Sequence, residues 1–203
     1  MTSQTRTRKP ARSKSTPAVE IERPERLTLA LIIETGLRLT REQGLKSFTM
    51  RTLAEVLGVS PMATYYYVHN KEALVDLLID AVVENVQIPD PASGTWSERL
   101  WLLNRSSRKA LAAHPGLADE LLSRPLSPVG ARYVDASVTM LREAGFDERE
   151  AHEAYFMFEA CMFGRTVIER SHRAPVSSDR TYRWTFDTLI AGFEARIAAK
   201  DLA

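Results

Sequence analysis

Residues 53–68 read LAEVLGVSPMATYYYV. A run with helical apolar spacing stops at Gly58, and a Ser-Pro pair at 60–61 starts the chain again. Glycine just past a helix end is a stop signal, while serine at the N-cap and proline at the first helical position are start signals. Two helices joined by the turn Gly58-Val59-Ser60 have the helix-turn-helix pattern. Leu53, Ala54, Leu57, Val59 and Val68 are expected to hold the pair at a fixed angle. Tyr65, Tyr66 and Tyr67 follow one another, and successive side chains on a helix diverge by about 100°. They cannot all face one core. Tyr65 and Tyr66 together must present a ring and a hydroxyl to the outside. Tyr67 is left open between the outside and packing between the first and fourth helices. A major groove admits one helix, whose first residues reach base edges and whose later hydroxyls reach phosphates. Lys71 adds a cation at the start of the next helix, where free N–H groups also favour phosphate. Arg51 fronts the helix before the turn and could meet a phosphate or a guanine edge.

Outward from this unit the helix punctuation continues. A first helix is expected over residues 27–43, with Leu29, Ile33 and Leu37 on its apolar face and Gly44 at its end. Thr49 caps residues 50–57. Asn70 caps a fourth helix with the face Leu74, Leu77, Leu78, Ala81 and Val82. IPDPASG, residues 88–94, is a loop by its prolines and glycine. Thr95 with Glu98, and Asp147 with Glu150, have capping-box spacing. They open helices to about residue 113 and over residues 148–171. HPG at 114–116 breaks the chain, a short helix reaches residue 123, and Ser127-Pro128 starts another to residue 144. A last helix is expected over 180–199. No sustained period-2 run is present, so the fold class is all-α, about nine helices without a sheet. The domain reading is a disordered basic tail at 1–24, a helix-turn-helix head at 25–87 and a helical body at 95–203.

The net charge of +1 hides an asymmetry. Residues 1–71 carry 12 Lys/Arg against 6 Asp/Glu, and residues 72–203 carry 15 against 20. A basic front suits a polyanion. Arg6, Arg8, Lys9, Arg12 and Lys14 in the tail suit either DNA contact or solubility. No apolar stretch approaches a membrane span of about 20 residues, and the polar start is no secretory signal. A single cysteine, Cys161, excludes an internal disulfide frame and suits a reducing cytoplasm. The expected location is therefore cytoplasmic, with no membrane partner. Catalytic signatures are missing: there is no P-loop, no Gly-rich dinucleotide turn and no serine elbow, so a helical enzyme is the weaker alternative. No cofactor and no metal are expected. The four histidines, His69, His114, His152 and His172, lie far apart, and HEAYF at 152–156 has Phe where a zinc helix needs a second His.

The segment LRLTREQGLKSFTMRTLAEVLGVSPMATYYYVHNKEALVDLLIDAV, residues 37–82, resembles the DNA-binding head of the TetR family of transcriptional regulators. The likeness covers about residues 27–86. It implies that Thr49, Met50 and Arg51 touch DNA, that Ser60, Pro61, Met62 and Ala63 begin the reading helix, and that Tyr65, Tyr66 and Lys71 contact the backbone. Thr64 departs from the family's usual Leu, so that it either weakens the small core or has found a hydrogen-bond partner. LREAGFDEREAHEAYFMFEACMFGRTVIE, residues 141–169, is similar to the tetracycline-repressor-like branch. That likeness implies a homodimer through the last two long helices, a role suited to the stripe Tyr182, Phe186, Leu189, Phe193 and Ile197; burial of that stripe within one monomer is the alternative. It also implies a body pocket for a small-molecule effector of apolar or aromatic character. Trp101, Asn104, Arg105, Tyr133, Met140, Phe156, Glu159 and Phe163 lie on helices that would surround it, although each also suits ordinary core or surface. The branch that takes a drug with magnesium uses a histidine soon after an HPG-like break. Residues 119–123 offer none, which disfavours a metal-bound drug. The implied function is a repressor released from a near-palindromic double-stranded operator. A DNA-bound adaptor whose body takes a protein or peptide is the alternative.

Overall fold

The computed structural model describes residues 27–170 and 179–200. The basic tail and most of the loop before the last helix lie outside the described residues. Nine α-helices and one short 3₁₀ turn are described, with no strand among them. In chain order the helices are α1 (Leu29–Gln43), α2 (Met50–Leu57), α3 (Pro61–Tyr67), α4 (Lys71–Glu84), α5 (Trp96–Ala112), α6 (Leu117–Ser123), α7 (Pro128–Glu143), α8 (Glu148–Arg170) and α9 (Asp179–Lys200). The starts obey the local chemistry. Thr28, Thr49, Ser60, Asn70, Thr95 and Ser127 each accept a backbone N–H within the first turn. Both capping boxes form, Thr95 with Glu98 and Asp147 with Glu150.

The head packs around Ile32, Leu39, Phe48, Leu53, Leu57, Leu74 and Leu78. In α1 the buried side is Ile32, Thr35, Gly36, Leu39 and Thr40, whereas the expected Leu29 is exposed and Ile33 and Leu37 are only partly covered. Gly36 is the reason for that rotation. A Cβ there would come within 2.9 Å of Leu78 Cδ2, so α1 and α4 meet at a glycine and the flanking positions turn inward. Gly58, with φ 66°, occupies the left-handed region that ends α2, a conformation that costs glycine no Cβ clash. The head's core does not stop at residue 87. Leu111, Leu117 and Ala118 from the body belong to the same cluster.

A second cluster holds the body: Leu100 and Leu103 of α5, Met140 and Leu141 of α7, Phe158 and Met162 of α8, and Tyr182, Phe186 and Phe193 of α9. The aromatic stripe expected at a dimer interface is therefore turned into the monomer's own core. Tyr182, Phe186 and Phe193 are buried, and Leu189 and Ile197 pack against them. Residues of α5 and α8 pack against this stripe in the same cluster. Phe186, for instance, meets Trp101 and Phe158 edge-on at ring separations of 5.0 and 5.8 Å.

Helix α4 belongs to both halves, touching α1 on one side and α5, α6 and α7 on the other. Arg124, between α6 and α7, donates to Asp76 and to the Glu72 carbonyl on α4 and also pairs with Glu120. Ser127 donates to Asp80. A second joint sits at the α5–α6 break. There Leu45 N–H donates to the Pro115 carbonyl, and buried His114 places Nδ1 3.1 Å from both Leu37 O and Thr40 Oγ1. The Thr40 hydroxyl already gives its proton to Leu37 O, so His114 Nδ1 carries a hydrogen and donates. Burial, with Arg41 nearby, holds the imidazole below its ordinary pKa, opposed by the bond to Leu37.

Candidate nucleic-acid interface and body core

The turn between α2 and α3 buries Leu53, Ala54, Leu57 and Val68 as expected, with Val59 packed at the edge. What α3 hides is mainly Thr64, fully buried, whose hydroxyl donates to the Pro61 carbonyl at 2.7 Å. The departure from leucine thus satisfies itself within its own helix. The outer face of α3 is open: Met62 is 76% exposed and Tyr66 84%, with Pro61 and Tyr65 beside them. Tyr67 stands between the two expected positions. It stays partly exposed while its hydroxyl donates to the Leu27 carbonyl and its ring meets Tyr66 edge-on. Ser60 spends its side chain on the Ala63 N–H, and Ala63 is half-buried.

At the start of α2, Thr49 and Arg51 are exposed, and Arg51 rests on Glu55 at 2.9 Å. So exposed a pair adds little and can exchange its acid for phosphate. Two of the ten expected contact residues are placed otherwise. Met50 is only 6% exposed, because positions 50, 53 and 57 share the inward stripe of α2. Lys71 directs Nζ at the Leu45 and Phe48 carbonyls, at 3.1 and 2.6 Å, and so ties α4 to the α1–α2 turn. Its donors satisfy carbonyls of that turn, which no helix ladder pairs. Residues the sequence reading passed over complete the face. Thr52 shares a 2.8 Å hydrogen bond with Thr49, and His69 is exposed just past the end of α3. The signal for His69 was its place immediately before the N-cap Asn70.

In the body, three of the eight expected pocket residues form one network. Asn104 Nδ2 donates to the Tyr133 hydroxyl at 3.4 Å, which donates to Glu159 Oε1 at 3.2 Å. The Tyr182 hydroxyl donates to Asn104 Oδ1. Burial raises the Glu159 carboxyl from 4.5 to about 7, against the opposing pull of Tyr133 and Asn104. Tyr133 and Tyr155 are pushed upward by burial and by Glu159. Trp101 flanks the network through Tyr182, and Met140 is buried in the same cluster. The other three are elsewhere. Arg105 is exposed on α5, Phe163 packs toward the head cluster, and Phe156 is 67% exposed on the outside of α8. Phe156 precedes Met157, and Trp184 on α9 is also exposed, so among the described residues the large apolar side chains that α8 and α9 turn outward are these three rather than the predicted stripe. No group of three or more metal-ligating side chains lies together among the described residues. None of their helices is long and apolar enough to cross a membrane.

Comparison with known proteins follows this division. Residues 32–78 match the family described as bacterial regulatory proteins, tetR family, and residues 88–196 match the tetracyclin repressor-like C-terminal domain. The HTH-type transcriptional repressor DrrR1 of Streptomyces coeruleorubidus is 30% identical over 140 residues, which are 68% of this chain and 52% of that protein. The chain thus spans about half the length of that relative. Among solved structures, the TetR family protein ActR of Streptomyces coelicolor, in complex with (S)-DNPA, superposes with a TM-score of 0.72 at 26% identity, covering 85% of this chain and 99% of ActR. A TetR variant from Acinetobacter baumannii AYE in complex with minocycline gives 0.73 at 26% identity, covering 84% and 98%. An all-helical chain with a helix-turn-helix head, matched by both family descriptions over most of its length, belongs to the TetR family of transcriptional regulators.

Proposed function

We propose that this chain is a homodimeric repressor that holds a near-palindromic DNA operator and leaves it when a small molecule enters the body. The observation that carries the DNA reading is the open face of α3. Met62, Tyr65 and Tyr66 point outward from a helix whose other side is packed. A soluble head gains nothing in stability from that row, and a major groove would cover it. Met62 and Pro61 lie at the leading end for base edges. Tyr65, Tyr66, Thr49 and Arg51 suit the phosphates on either side, with Ser60 and Ala63 setting the helix start.

One head makes too few contacts to select a genomic site, and two heads on a two-fold axis read two half-sites. The surface suited to pairing is the outer side of α8 and α9. Phe156, Met157 and Ala160 line α8, while Trp184, Thr188, Ala191 and Ala195 follow a 4-3-4 spacing along α9, all of them exposed. Large side chains opposite small ones allow close helix packing. The effector reading rests on the polar network in the body and on α4, which joins that body to the head. Release of about 1000-fold requires about 4 kcal/mol of preference for the non-binding conformation.

Selection of bound duplexes from a random pool tests the DNA reading. A palindromic consensus is expected, with binding weakened by Met62→Ala. Absence of any enriched site at low salt would end the proposal. Trp184→Asp tests the dimer. Sedimentation should show monomers and a loss of operator binding, and an unchanged mass would reject this pairing surface.

A further inference from the structure

The body's polar network leaves one acceptor open. Glu159 Oε1 receives the Tyr133 hydroxyl, but Oε2 has no hydrogen-bond partner although the side chain is 9% exposed. Asn104 and Tyr133 act on the carboxyl, yet neither reaches Oε2 within hydrogen-bond distance. Asn104 uses its amide nitrogen on Tyr133 and its oxygen on Tyr182. No basic side chain among the described residues offsets Glu159; burial, Tyr133 and Asn104 are what act on it. A buried acceptor without a donor is costly, and native proteins rarely leave one so. Around it stand the rings of Tyr133 and Tyr155, with Tyr182 and Trp101 behind Asn104.

We propose that Glu159 is the recognition group of the effector site and that the effector is an organic ammonium compound, an apolar or aromatic body whose protonated amine donates to Glu159 Oε2. This rests on the effector-released reading above. An acid among aromatic rings attracts a cation twice, through the carboxylate and through the ring faces. A neutral hydroxyl would supply the hydrogen bond without the charge. A carboxylate ligand would place a second acceptor against the first. Burial keeps the empty site partly protonated near neutrality, and an arriving ammonium favours the ionised form.

The test uses matched sets on one ring system: 1-naphthylmethylamine, 1-naphthylmethanol and 1-naphthoic acid, and the same three groups on anthracene. Each is titrated into the full chain by calorimetry, and operator release is followed separately by fluorescence anisotropy. The amine is expected to bind about 10- to 100-fold tighter than the alcohol, the range of a charge-assisted bond, with the acid weakest. Glu159→Gln should remove that preference, leaving amine and alcohol within about threefold of each other, because the amide carries no charge. Should that variant fail to fold, Glu159→Asp, which draws the carboxylate back, must weaken the amine more than the alcohol. Equal binding of amine and alcohol, a preference that survives Glu159→Gln, or no amine binding at millimolar concentration overturns the proposal. Release by the alcohol or the acid, unaffected at residue 159, would sink the ammonium assignment and leave the effector-released reading standing. Glu159-dependent amine binding without release would do the reverse.

Discussion

The body buries larger polar groups than the head does. In the head, Thr40 and Thr64 are hidden, and each hydroxyl donates back one turn to its own helix, at Leu37 and Pro61. In the body, Arg99, Asn104 and Glu159 are hidden, and their partners lie on other helices: Glu143, Tyr133 and Tyr182. A hydroxyl that closes on its own helix needs no tertiary help. An amide or carboxyl across three helices is satisfied only once those helices have docked. The head has an apolar core and carries its candidate site on the outside. The body carries its candidate site within.

The largest expected effect tests the apolar core. Phe48→Ala removes a fully buried ring from the head and should cost about 3–5 kcal/mol in denaturant unfolding. A loss under about 1 kcal/mol would mean that the head is loosely packed. The next probes the body's polar interior through pH. The folded-state value of Glu159, about 7, lies above its ordinary 4.5, so the folded chain holds the extra proton. That stabilisation is fully present below pH 4.5 and is lost as pH rises through about 7. Wild type should lose up to about 3 kcal/mol across this window relative to Glu159→Gln. Parallel stability profiles would place the carboxyl in water.

A smaller effect separates surface from core in the head. Tyr66→Ala should leave unfolding within about 0.5 kcal/mol of wild type. Its operator affinity should fall about tenfold, as for one lost hydrogen bond to phosphate. Destabilisation with unchanged operator affinity would reverse the assignment. The smallest concerns the joint between the two regions. His114 is held below its ordinary 6.5, so its contribution is present above that pH and lost as pH falls through the lowered value. His114→Phe should cost about 1 kcal/mol at neutral pH and flatten the acid side of the thermal-stability profile. An acid limb as steep as wild type would remove His114 from the joint. Opposite pH responses of Glu159 and His114 would themselves show which region yields first.

The helix boundaries were legible because caps are local. Thr49, Ser60, Asn70 and the two capping boxes act within one turn of themselves. The outward tyrosines were legible for the same reason, since 3.6-residue geometry alone forbids hiding adjacent rings. Even Met50 could have been placed, because it continues the stripe of Leu53 and Leu57. Lys71 could not: its ammonium is claimed by Leu45 and Phe48 carbonyls 23 to 26 residues away. The α9 stripe shows the limit most clearly. Periodicity identified Tyr182, Phe186, Leu189, Phe193 and Ile197 as one apolar face, but a face that wants burial does not say whose surface will cover it.

The amino-acid order by itself settled an all-helical chain, the turn that makes a helix-turn-helix, and an exposed row on its second helix, because each depends on residues within a few positions of one another. Docking alone decided that α9 faces its own monomer, that Phe156, Met157 and Trp184 remain outside, and that Asn104, Tyr133, Glu159 and Tyr182 meet. Those outcomes join side chains from 26 to 78 residues apart, and no local preference encodes which distant surface arrives.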